Sequence, residues 1–203
     1  LMPGLAYYAP NLLSREETGL AEQSPEQLMR LLQTGHSAEA STSGPMAEVV
    51  KDSLQYLSEA DLRAMVNYLQ TRAREAAPTP PRPPAAKALP AVAERGQWVY
   101  EQHCRDCHGA DGRGQSDRYP ALAGNRAVQL AEPANLMQSV LYGGYGPATA
   151  GHPRPYGMPP FILSLDDRDL AAVLTHIRQS WGGQATEVTP LQVGRLRNQT
   201  SAR

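Results

Sequence analysis

Cys104-Arg105-Asp106-Cys107-His108 carries the most specific chemistry in the sequence. Two thiols separated by two residues, with a histidine directly after the second, make the attachment pattern of a c-type haem. The thiols bond to the two vinyl groups of the porphyrin, and the adjoining imidazole is held where it can ligate the iron. The chain has 2 cysteines, and both stand in this motif. Thiol redox chemistry and zinc binding are the alternatives. A redox pair belongs in a strand-helix-strand setting, which does not surround these residues. Zinc needs a second ligand pair at short spacing, whereas His36, His103, His152 and His176 are scattered.

If haem is attached here, further ligands and contacts follow. His108 is the proximal ligand, and its other ring nitrogen needs an acceptor to fix tautomer and orientation. The carbonyl of Pro120, in Tyr119-Pro120-Ala121-Leu122-Ala123-Gly124, is the candidate. Met158 is the candidate sixth ligand. It lies 50 residues after His108, in Tyr156-Gly157-Met158-Pro159-Pro160-Phe161, where the Pro/Gly backbone offers no helical face for a core methionine to pack on. His152, six residues earlier, competes for that position. His103 reads as solvated or paired with a neighbour, and His176 as structural. Arg126 and the Trp181 indole are candidate propionate donors. Leu122, Leu136, Val140 and Phe161 are candidates to line the ring edge.

The elements that must position these residues are helices. Val92 to Gln102 leads into the motif, with Gly96 and Tyr100 eight and four residues before Cys104 and so on its face. A glycine there admits a second helix closely, with the tyrosine ring beside the contact. Pro133 to Tyr142 is helical. Ser164 caps the last main helix, with Asp167 at the capping-box position and Leu170, Val173, Leu174 and Ile177 as its buried stripe. Thr189-Pro190 starts a short tail helix that fades near Arg197. Earlier, Ser24 caps a helix opened by Pro25, with Gln27 completing a capping box and Gly35 ending it. Ser58 caps another that runs to about Glu75. Residues 1–23 read as loop.

Between these sets of helices, Ala76 to Pro90 holds six prolines. Such a segment favours polyproline II, a spacer of about 3.1 Å per residue. The sequence therefore divides into a first domain over 1–75, a Pro-rich linker over 76–90, a second domain over 91–185 and a tail over 186–203. The halves resemble each other. Pro25 to Met29 parallels Pro133 to Met137 at an offset of 108 residues, Leu57 to Leu62 parallels Leu163 to Leu170, and Gly44-Pro45-Met46 parallels Tyr156-Gly157-Met158. Met46 is then the candidate sixth ligand of the first half. Counting the same distance back from Pro25 lands before residue 1, so the first half is expected to be the back part of a haem domain whose attachment motif is absent from this chain.

A net charge of -1 gives no field that would draw the chain to nucleic acid or an anionic membrane. No apolar run approaches the roughly 20 residues needed to span a bilayer. With 17 glycines, 18 prolines and 6% aromatics, the chain is loop-rich, and an apolar cofactor would help fill its core.

In order along the chain, Gly96 and Tyr100, the CRDCH motif, Pro120, Met158 and the capped last helix resemble class I cytochrome c. Tyr8 to Leu28, Gly44 to Leu69 and Met158 to Ala185 are similar, more narrowly, to the multi-haem cytochrome c subunits of bacterial membrane-associated dehydrogenases acting on alcohols, aldehydes or sugar acids, a resemblance that covers nearly all of residues 6–197 apart from the Pro-rich linker. That resemblance implies an all-α chain of two cytochrome c-like domains, the first incomplete at its N-terminus. It implies one haem c on this chain, and a second near Met46 if the missing segment is present. It also implies electron transfer from a catalytic dehydrogenase subunit to quinone or another cytochrome, in the periplasm or on the outer face of the cytoplasmic membrane, with membrane association through partners. His176 departs from the aromatic that members carry there. The alternatives are a di-haem enzyme, such as a cytochrome peroxidase or thiosulfate dehydrogenase, and a haem-containing binding or sensor module.

Overall fold

Local capping chemistry sets most helix ends in the computed structural model, which describes residues 6–38, 40–77, 83, 85–115 and 118–201. The helices are α1 (Pro25–Thr34), α2 (Pro45–Asp52), α3 (Glu59–Glu75), α4 (Pro90–His103), α5 (Arg105–His108), α6 (Arg126–Gln129), α7 (Ala134–Tyr142), α8 (Asp167–Gln179) and α9 (Pro190–Ser201). Two short strands, β1 (Gly144–Tyr145) and β2 (Gly157–Met158), pair antiparallel with Gly144 opposite Met158. The chain is thus essentially all-α, as expected.

Ser24 accepts from the Gln27 amide at the start of α1, and Ser58 does the same for Asp61 in α3. Other ends differ from expectation. Gln27 does not complete a capping box, because its side-chain oxygen accepts from the Ala38 amide instead. Asp166, not Ser164, caps α8, taking the amides of Arg168 and Asp169 on one carboxylate oxygen. A charged acceptor at a helix N-terminus outcompetes a hydroxyl, and Ser164 turns back to the Phe161 carbonyl. Helix α2 carries no clear helical signal in the sequence. Pro45 supplies a first-turn φ, and burial of Ala47 and Val50 stabilises a stretch whose valines favour strand.

Two apolar clusters form. In the smaller, Leu20, Leu28 and Val66 bring α1 against α3. The larger joins Val99 and Tyr100 of α4, Met137, Val140 and Leu141 of α7, and Leu170, Val173, Leu174 and Ile177 of α8. Val188, Val193 and Leu196 belong to it too, so the segment after residue 185 shares this core and does not trail away from it. A reciprocal capping box between Thr189 and Gln192 starts α9. The helix continues past Arg197, whose guanidinium holds the Leu165 carbonyl at 3.1 Å and Asp167 at 2.9 Å.

The two halves also touch. Ala6 enters the larger cluster, and Asn135 pairs with both backbone groups of Tyr8 at 2.7 and 2.8 Å, so part of the 1–23 loop is tied to α7. Of the proline linker, residues 78–82 and 84 lie outside the described residues. Its end is pinned to the C-terminus of α8, Ala88 donating to Gln179 at 2.9 Å.

The tightest helix contact is between α4 and α8. A Cβ on Gly96 would lie 2.2 Å from the Ala172 carbonyl oxygen, so a side chain there must push the helices apart. Gly96→Ala is expected to cost roughly 1–3 kcal/mol by overpacking. The check is a lower urea midpoint at unchanged m-value, and an unchanged midpoint would contradict this packing.

Candidate functional site

Cys104, Cys107 and His108 occupy positions i, i+3 and i+4 of one helical turn, so the three side chains share a face. Cys104 ends α4, and its carbonyl accepts from the amides of Cys107 and His108, which closes the turn of α5. The His108 ring is buried, and its Nδ1 stands 3.0 Å from the Pro120 carbonyl oxygen. A carbonyl can only accept, so Nδ1 carries the proton and the Nε2 lone pair is left for a metal. Burial lowers the His108 pKa against the opposing effect of that hydrogen bond, which favours the neutral, ligating imidazole.

The loop after the motif is built around this bond. Gly114, at φ 65°, donates to the His108 carbonyl, and a Cβ on it would lie 2.3 Å from the Tyr119 carbonyl oxygen. Only glycine lets the returning strand of the loop pass so close. Tyr100 reaches from α4 to the same loop and donates to the Gly109 carbonyl at 2.7 Å. From sequence, the Tyr100 ring is assigned to the helix contact, and this role of its hydroxyl is missed.

Neither cysteine is in a disulfide. Burial, and then the neighbouring Cys107, push the Cys104 thiol up to about 12. A thiol so reluctant to ionise is a poor redox nucleophile, which argues against Cys104 as the attacking member of an exchange pair. Among the described residues, no three His, Cys, Asp or Glu side chains gather as ligands for a metal ion. Two thiols and one buried imidazole on one turn, with Nε2 free, fit the covalent attachment and axial ligation of a haem.

Met158 lies in β2, half-buried against the cluster that contains Cys104, together with Leu122 and Leu136. Phe161 and Ile162 donate to the carbonyls of Val140 and Leu141, docking the following chain onto α7. The Tyr156 ring meets that of Tyr119 edge-on at 5.2 Å, joining the Met158 segment to the loop that presents Pro120.

The remaining residues singled out in the sequence have the following surroundings. Arg126 faces the first half, donating to the Arg15 carbonyl at 3.1 Å with Glu22 3.9 Å away, so its partners are not those foreseen. Trp181 stands at the α4–α8 crossing, edge-on to Tyr100 at 5.4 Å and to His176 at 6.1 Å. Met46 is 40% exposed in the first turn of α2, since Pro45 opens a helix there and not the irregular loop that surrounds Met158. His103 packs edge-on to Phe161 at 5.8 Å. His176 lies beside Tyr100, its pKa lowered by burial. His152 faces His36 of the first half, ring centroids 5.7 Å apart.

A helical domain whose core carries this turn is the scaffold of a covalent haem protein. Comparison with known proteins agrees. A family model described as Cytochrome c matches residues 93–181. Cytochrome c-552 of Thermus thermophilus is 34% identical over 90 residues, an alignment covering 43% of this chain and 68% of that protein. The cytochrome c subunit of a quinone alcohol dehydrogenase from Gluconobacter oxydans is 32% identical over 192 residues, 88% of this chain and 38% of the relative. The gluconate 2-dehydrogenase cytochrome c subunit of Pantoea cypripedii is 34% identical over 196 residues, 93% and 44% respectively. The chain belongs to the cytochrome c family. It spans less than half the length of these dehydrogenase subunits. Membership brings covalent haem c and electron transfer with it.

Tyr100→Phe removes the donor to Gly109 while keeping the ring. It is expected to destabilise the protein by roughly 0.5–1.5 kcal/mol, read from denaturant unfolding monitored at the haem. No loss of stability would remove this bond from the support of the loop.

Proposed function

We propose that the chain carries electrons through haem c attached at Cys104 and Cys107, with His108 and Met158 as axial ligands. It would do so as a cytochrome subunit that takes electrons from a periplasmic dehydrogenase and passes them to quinone or another cytochrome. The observation that carries this reading is the buried His108 imidazole, fixed through Nδ1 to Pro120 with Nε2 free beside two unbridged thiols. A haem iron held by imidazole and thioether is six-coordinate, has a raised potential and exchanges single electrons without an open position for substrate.

Each residue has a defined task. Cys104 and Cys107 bind the porphyrin edge, Pro120 holds the imidazole in one tautomer, and Leu122 and Leu136 keep water from the ring. Met158 supplies the second axial atom from a backbone docked on α7. The kinship with dehydrogenase cytochrome subunits supports the choice of donor and the periplasmic side. No described helix is long and apolar enough to cross a membrane, so attachment there would run through partner chains.

The first half is proposed to be the back part of a second haem domain. The shared order of α1 and capped α3 against α7 and capped α8 supports it. A second haem c would take its attachment motif from another segment, and the exposed Met46 thioether is the ligand available to it.

In the oxidised protein, Met158→Ala is expected to abolish the charge-transfer band of a thioether–iron bond while the covalent haem is retained. A band unchanged in the variant would sink the ligand assignment.

A further inference from the structure

Met158 stands at the base of a hairpin. Residues 146–156 connect β1 to β2, and the ladder between them is only two residues long on each side. A two-stranded ladder of this length does not hold its own geometry in water. Among the described residues, hydrogen bonds within the tip of the hairpin join a single pair, Thr149 and His152: their backbones exchange bonds at 3.1 and 3.2 Å, and the His152 amide also donates to Thr149 Oγ1. Something else must fix the long connection if Met158 is to keep one position.

The first half does so at four places. The Pro147 ring lies against Gly35, the left-handed C-cap of α1, so closely that a Cβ on that glycine would stand 2.1 Å from Pro147 Cγ. The Thr34 methyl packs on Gly151, where an added Cβ would lie 2.9 Å away. The Ala150 amide donates to Gln55 Oε1 at 3.1 Å. The His152 ring meets the His36 ring at 5.7 Å with an interplanar angle of 61°. His152 Nε2 is buried in this contact without a hydrogen-bond partner, a cost borne only where surrounding packing holds the ring in place.

We infer that the first half braces the sixth ligand. Thr34, Gly35, His36 and Gln55 grip the tip of the hairpin, and the grip limits the conformations open to its base, so Met158 is held toward the iron. These are positioning residues that act through Met158 and do not touch the haem. The inference rests on the proposed Met158 ligation and gives the first half a task independent of any haem of its own. Releasing the tip restores conformational freedom to the connection, and that entropy favours Met158 leaving the iron.

The test uses the full haem-loaded chain carrying His36→Ala and Gln55→Ala together. Added imidazole competes with Met158 for the iron, and its affinity is read from loss of the thioether–iron band. The double variant is expected to bind imidazole about tenfold more tightly than the unaltered protein, with the same haem content. Tyr56→Ala, at a neighbouring residue that is 75% exposed, is expected to bind it as the unaltered protein does. Equal affinity in the double variant, with the band present in both proteins, would overturn the brace alone. An equal gain in Tyr56→Ala would also overturn it, by showing general loosening. Absence of the band from the unaltered protein would remove the ligand itself and the brace with it.

Discussion

The hydrogen bond from His108 Nδ1 to the Pro120 carbonyl is the constraint around which the haem domain is arranged. An imidazole with no partner would lie in this core in either tautomer and at several ring angles. One carbonyl acceptor removes that freedom and points Nε2 away from the loop. To present that carbonyl, residues 109–115 and 118–123 must fold back within a few ångströms of the helix they leave. Gly114 permits the close pass, and the Tyr100 hydroxyl holds the loop's first carbonyl from α4. Helix α4 is itself located by the backbone contact of Gly96 on α8. A helix crossing is thereby converted, through one hydroxyl and one carbonyl, into the orientation of a metal ligand.

The side of the site carrying Met158 is built differently. Its strand has little regular structure of its own and takes its place from what it packs on: α7 below, the Tyr119 ring beside it, and the first half at the hairpin tip. The two axial positions therefore rest on unequal foundations. His108 is fixed by contacts close in sequence to the attachment motif. Met158 depends on contacts that cross between the two halves of the chain.

That difference also explains what was legible in the sequence. The CRDCH spacing, the glycine of the helix crossing, the Pro120 carbonyl and the Ser24 and Ser58 caps are local or periodic features, and local chemistry suffices to read them. Asp166 and not Ser164 caps α8, so the helix begins two residues later than the serine suggests, a choice between two nearby cap-forming residues that spacing alone does not decide. The sequence makes Arg126 and His152 candidates for the haem, yet their partners, Arg15, Glu22 and His36, lie over a hundred residues away in the chain. Met46 resembled Met158 in its neighbours but not in its backbone, since a proline before it opens a helix and prolines after Met158 prevent one.

All of these arrangements serve a covalent haem on the turn of α5. Intact mass measured on denatured protein, from a host that matures c-type haem, tests it most directly. The expected result is the chain mass plus one haem, with neither Cys104 nor Cys107 open to alkylation. A mass equal to the bare chain, with both thiols alkylated, would contradict it.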